Sequence, residues 1–129
     1  MANVATGTLG RHYTLRTVFG GLAASELDAA RGHLAEVGLA HLAEQRAGTL
    51  SGGQAQRVAI ARALAQRPRV LLADEPVANL DPEAAEEIMR LLQRLARSEN
   101  IAVICVLHQV ERDQVPRDAV HRLYLPEAA

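Results

Sequence analysis

Apolar positions recur along this chain in two rhythms. From Ser25 they fall at Leu27, Ala30, Leu34 and Val37, steps of three, four and three residues that predict an amphipathic helix. Ser25 is a candidate cap with Asp28 three residues on, and Gly38 a candidate stop. A short second helix is predicted around 40–46, closing at Gly48. After Leu50-Ser51-Gly52-Gly53-Gln54 comes 55–66, a strong helix former rich in Ala and Leu that Pro68 stops. Val70-Leu71-Leu72-Ala73 then runs continuously apolar between Pro68 and Asp74, the pattern of a strand buried on both faces of a parallel sheet. Asp81-Pro82 opens another helix, with a capping Asp, Pro in the first turn and Glu83 near the positive end of the dipole. It is predicted to reach about Arg97, burying Ile88, Leu91, Leu92 and Leu95. A second apolar, β-branched strand at 101–107 ends in His108. Residues 69–108 therefore read as a right-handed βαβ unit of a parallel α/β sheet. Weaker signals place a helix start at 110–115, interrupted by Pro116, and a last strand at 119–125.

Composition narrows the classes. The 129 residues are 49% hydrophobic and 22% charged, as in one compact domain or part of a larger one. Fourteen basic against fifteen acidic residues give a net charge of −1, so nothing points to polyanion binding by bulk charge. Tyr13, Phe19 and Tyr124 are too few to form stacking platforms for single-stranded nucleic acid. One cysteine, Cys105, excludes an internal disulfide and a Cys-rich zinc site, which fits a reducing compartment. No apolar run approaches a membrane span, and no basic segment followed by an apolar one marks a signal peptide at the start. All fourteen basic residues are Arg, and there is no Lys.

Three features carry candidate chemistry. In a parallel sheet, residues at the carboxyl end of a strand face the ligand crevice. Asp74 at such an end suits a water-rich Mg²⁺ site, and Glu75 can orient and deprotonate an attacking water. Alone, the pair also reads as a strand running into a solvated loop. Ser51-Gly52-Gly53-Gln54 opens a helix, where a hydroxyl and exposed amides form a ready anion site and glycine lets phosphate oxygens approach the backbone. A bare Ser-Gly-Gly equally reads as an N-cap and a flexible turn. His108 can hydrogen-bond a phosphate or a water, or simply occupy a loop.

Taken together, Leu50-Ser51-Gly52-Gly53-Gln54-Ala55-Gln56-Arg57, Leu71-Leu72-Ala73-Asp74-Glu75-Pro76, Ala78-Asn79-Leu80-Asp81 and Leu107-His108 resemble the signature motif, Walker B, D-loop and switch histidine of the ATP-binding-cassette (ABC) ATPases, in order and spacing. The resemblance covers nearly the whole chain and is weakest after Val115. It implies a partial P-loop NTPase fold of the α/β class, a helical subdomain followed by a βαβ piece of a parallel sheet. The implied segments are 1–47 (helical subdomain), 48–67 (signature motif and helix) and 68–129 (Walker B, D-loop and switch-histidine core).

By the same resemblance Asp74 coordinates Mg²⁺, Glu75 is the general base, and His108 contacts the γ-phosphate of ATP. Asp81 lies at a dimer seam, and Ser51, Gly52, Gly53 and Gln54 close over a nucleotide held by a second ATPase subunit. The helical segment docks on a membrane permease, which places the protein in the cytoplasm, peripheral at the inner face of the membrane, with no nucleic-acid partner. A narrower likeness, carried by 7–16 (Gly7-Thr8-Leu9-Gly10-Arg11-His12-Tyr13-Thr14-Leu15-Arg16), Asp74-Glu75-Pro76-Val77-Ala78 and Leu107-His108-Gln109-Val110, is to the ATPase subunits of phosphonate importers. The Arg11, His12 and Arg16 cluster reads there as a solvated or permease-facing surface.

A phosphate-cradling P-loop ends in Gly-Lys followed by Ser or Thr. Without a Lys this chain has none, and by the resemblance the P-loop, its preceding strand, the base-stacking aromatic and the Q-loop glutamine would precede residue 1. The expectation is a segment of a transporter ATPase that is inactive alone, or a decayed remnant of one. The alternative from another class is a non-catalytic interaction module lending its signature face to an intact ATPase. A DNA-maintenance ATPase of the same superfamily is disfavoured, since no heptad tract precedes Leu50.

Overall fold

The computed structural model describes residues 2–7 and 24–107. His108, the Arg11–His12–Arg16 cluster and the helix and strand predicted after residue 109 lie outside the described residues. The chain divides into two compact units, Met1–Pro68 and Arg69–Ala129.

The described residues of the first unit form helices and turns. A short helix α1 (Ala2–Ala5) packs against α2 (Ala24–Glu36) and α3 (Gly52–Leu64). Val4, Ala5, Ala30, Leu34, Val37, Leu39, Ile60, Ala61 and Leu64 are buried. α2 follows the predicted periodicity, but it includes Ala24, so Ser25 lies inside its first turn rather than capping it. At its other end Gly38, with φ 77°, takes the left-handed position that glycine supplies. The Leu39 amide donates to the Leu34 carbonyl at 2.7 Å and the Gly38 amide to that of Ala35 at 2.9 Å, the paired bonds of a Schellman motif. Of the helix predicted at 40–46 only a 3₁₀ turn, Ala40–Leu42, is present, and a second 3₁₀ turn, Ala47–Thr49, lies beyond it and contains Gly48. Neither turn buries a residue, so nothing offsets the cost of nucleating a longer helix. Gly7 is buried against α3, where an added Cβ would collide with the Arg62 carbonyl oxygen and sit 3.2 Å from the Ala65 Cβ.

The second unit contains the strand–helix–strand order read from the sequence. β1 (Val70–Asp74) and β2 (Ala102–Val106) pair in parallel, Val70 opposite Ala102 through Asp74 opposite Val106. The connection between them contains α4 (Pro82–Ser98), which buries Ile88, Leu91, Leu92 and Leu95 as its stripe predicts, together with Ala96. Each such side chain contributes roughly 1.5–3 kcal/mol on burial, which makes this stripe the main apolar source of cohesion among the unit's described residues.

The expectation of a strand buried on both faces is not met. Leu71 and Val103 are buried, yet Val70 and Leu72 are 52% and 72% exposed, and Ile104 and Val106 are exposed with them. Successive strand residues point to opposite faces, and parallel partners share one, so these four side chains form a single apolar face. Among the described residues of this unit one helix, α4, packs on the two-stranded sheet, and one helix covers one face.

Candidate functional site

The signature segment lies at the start of α3. Ser51 has extended backbone, and its Oγ accepts from the Gln54 amide at 3.3 Å. The Gln54 side-chain oxygen reaches back to accept from the Ser51 amide at 3.0 Å. This reciprocal capping box satisfies two of the four donors that a helix start leaves open. The other two belong to Gly52 and Gly53, and neither residue has a side chain to cover its amide. Two amides at the positive end of a 13-residue helix, Gly52 exposed and Gly53 partly so, are what a phosphate oxygen needs. Gly48 and Gly53 have the spacing of two P-loop glycines, but Gln54 stands where that loop has Lys, and the segment is a 3₁₀ turn followed by a capped helix start.

At the carboxyl end of β1, Asp74 is exposed and paired in register with Val106. Glu75 follows with φ 44°, in the left-handed region that a residue with a Cβ rarely adopts. Its amide donates to the Val106 carbonyl at 2.9 Å, and its own carbonyl accepts from the Ala78 amide at 3.1 Å. That second bond closes a turn with Pro76, whose side chain is fully buried, in the position where Pro presets the backbone. A further turn joins Val77 to Leu80 at 3.3 Å, with Asn79 at φ 60° in the third position, where Asn substitutes for Gly. The segment 75–80 is thus anchored by one ladder bond, one buried ring and two turns. Glu75 is exposed at its near end.

Asp81 caps α4, its Oδ1 accepting from the Ala84 amide at 2.9 Å. The sequence read it both as a cap and as a D-loop residue, and the geometry engages one carboxylate oxygen in the first role. His108 lies outside the described residues, and Ser51 and Asp74 belong to different units.

No group of three or more metal-ligating side chains occurs among the described residues. A single exposed strand-end carboxylate does fit Mg²⁺, which keeps several waters and takes its remaining ligands from substrate phosphates. No helix among the described residues is long and apolar enough to cross a membrane.

The family model described as ABC transporter matches residues 5–78, more than half of the chain. The chain belongs to this family. Among curated relatives, the phosphonates import ATP-binding protein PhnC of Frankia casuarinae is 56% identical across 86% of the chain and 44% of its own length. That of Thiobacillus denitrificans is 52% identical across 86% and 43%. The chain thus spans less than half the length of the curated relatives it matches. In three dimensions it is similar to an inward-facing metal-chelate type ABC transporter, with TM-score 0.75 and 33% identity over 83% of this chain and 41% of the other. A dimeric bacterial ABC transporter cassette matches with TM-score 0.63 and 34% identity over 82% and 44%. The chain has part of the P-loop NTPase fold of ABC ATPases, and within the family it is similar to phosphonate-import ATP-binding proteins.

Proposed function

We propose that this chain is the signature- and Walker B-bearing part of the ATP-binding subunit of a phosphonate importer. The observation that carries the reading is the match to phosphonate-import ATP-binding proteins across 86% of the chain at 52–56% identity. In this reading 1–47 is the helical subdomain, 48–67 the signature segment and 68–129 the Walker B core. ATP and Mg²⁺ are the cofactors, a second ATPase subunit and a membrane permease the partners, and the protein works at the cytoplasmic face of the membrane.

Asp74 holds Mg²⁺, which when bound neutralises charge on the transferring phosphoryl group. Glu75 takes the proton from the attacking water, and His108 contacts the γ-phosphate. Ser51, Gly52, Gly53 and Gln54 close over the nucleotide of the opposite subunit, the two glycine amides donating to its phosphate oxygens. Asp81 sits at the seam between subunits. With no lysine to meet the triphosphate, residues 1–129 alone neither bind nor hydrolyse ATP.

In a head-to-tail pair with an intact cassette, the site built on the partner's P-loop asks of this chain only its signature segment. The test is steady-state ATP hydrolysis by the chain mixed with an intact phosphonate-import cassette. Stimulation abolished by Ser51→Arg and unchanged by Glu75→Gln supports the reading, because Glu75 then faces the site without a P-loop. Equal loss from both substitutions, or no stimulation by the wild-type chain, sinks it.

A further inference from the structure

Arg57 lies on α3, three residues beyond the capping box. Its guanidinium Nη1 donates to the Val37 carbonyl at 3.3 Å, a partly buried hydrogen bond between residues 20 apart in sequence. Val37 is the last residue before Gly38 turns the chain at the end of α2. Its carbonyl is one of the acceptors that a helix leaves open at its negative end. The Schellman bonds occupy the carbonyls of Leu34 and Ala35 and leave that of Val37 to Arg57. A cation there meets both an unmet acceptor and the dipole.

The fit extends to the next residue. A Cβ built on Gly38 would stand 3.4 Å from the same Nη1, at a φ of 77° that side chains rarely adopt. The turn ending α2 thus stands within van der Waals reach of the Arg57 head group.

We infer that Arg57 is a positioning residue: through the Val37 carbonyl it fixes the direction of α3 against α2, and so the direction in which the Ser51–Gln54 amides are aimed. The capping box shapes the loop locally but cannot aim it, because both its partners lie on the segment being aimed. Val37 lies on a different helix. The functional meaning rests on the reading of Ser51–Gln54 as the nucleotide-facing signature, whereas the geometry does not. Binding constellations work within roughly 10–20° of their productive geometry, so a turn of α3 by that much on loss of this link mis-aims both glycine amides.

The test uses the full chain under folding conditions, with residual dipolar couplings measured for the amides of α2 and of Ser51–Gln54. Arg57→Met keeps the apolar stem and removes the donors. Gly38→Ala strains the φ 77° turn that presents the Val37 carbonyl, and Arg57→Lys restores one cationic donor without the planar fork. The expected result is reorientation of the Ser51–Gln54 N–H vectors by more than about 10° in the α2 frame for Arg57→Met and Gly38→Ala, partly reversed in Arg57→Lys. Unmoved vectors in folded Arg57→Met, accompanied only by a lower melting temperature, overturn the inference and leave Arg57 as a stabilising contact. Should Arg57→Met fail to fold, Gly38→Ala and Arg57→Lys are read by the same criterion. A partner ATPase that ignores the chain sinks the proposed function without touching this geometry, and fixed vectors sink the positioning role whatever the partner does.

Discussion

Replacing Glu75 by glycine is expected to make the chain more stable while removing its candidate base. Glu75 is held at φ 44° by the bond of its amide to Val106 on one side and by the turn that buries Pro76 on the other. The left-handed region costs a residue with a Cβ roughly 1–2 kcal/mol. Glycine removes that cost and adds roughly 0.5–1 kcal/mol of unfolded-state entropy. The balance favours Glu75→Gly by about 0.5–1 kcal/mol, or about 2–5 °C in melting temperature for a chain of this size. Removing a carboxylate beside Asp74 also relieves like-charge repulsion, so the comparison that matters is with Glu75→Ala, which loses the carboxylate and keeps the Cβ. Glu75→Asn supplies a residue that tolerates the left-handed region without glycine's entropy, and should equal or exceed Gly. Thermal melts followed by far-ultraviolet circular dichroism rank the three. Ala rising as far as Gly and Asn would refute the reasoning, since the gain would then be electrostatic rather than conformational.

Other consequences can be tested on the same chain. Gly7→Ala places a Cβ against the α3 backbone, and should cost roughly 1–3 kcal/mol, seen as a lower denaturation midpoint. Leu72→Lys with Ile104→Lys adds charge to the bare sheet face and should suppress self-association in light scattering while leaving helicity intact; association equal to wild type would show that another surface drives it. Burial pushes the Cys105 thiol above its ordinary value, so alkylation near pH 8 should run slower in the folded chain than in denaturant. The raised value also means that the folded state binds its proton more tightly. Stability is then full below about 8.5, the ordinary thiol range, and falls as pH rises through it. A Cys105→Ser variant should lose that slope.

Much of this architecture was legible in the sequence because the relevant signals are local. The stripe Ile88, Leu91, Leu92 and Leu95, the Asp81-Pro82 start and the apolar runs at 70–73 and 101–107 report periodicity and capping, and each gave the right element. The same apolar runs misled on burial. Val70 and Leu72 are as hydrophobic as a two-faced strand requires, but residue type states what a side chain suits and not whether a neighbour arrives to cover it. α1 escaped notice because four residues carry no period. Nothing in the letter Glu announces a left-handed backbone, which arises from the bond to Val106 and the buried ring of Pro76. Arg57 was visible as part of the signature string, but its link to Val37 depends on a fold that brings positions 20 apart together. The capping box was not foreseen at Ser51, although Ser followed three residues later by Gln is its usual spelling.

The parallel register also decides where this chain tolerates changes in length. Asp74 stands opposite Val106, and Glu75 is tied to the same Val106, because the ladder aligns the two strand ends directly. The crossover through α4 has only to return the chain to the starting edge, and it sets neither alignment. Residues added or lost between Ser98 and Ile101 are therefore absorbed by the connection and leave Asp74 and Glu75 where they are. A single residue inserted within 70–74 or 102–106 has no such outlet. It exchanges the inward and outward sets of that strand, turning Leu71 or Val103 out to water and moving Asp74 off its partner. Across natural variants of this unit, insertions and deletions should gather in the crossover and stop sharply at the two strands.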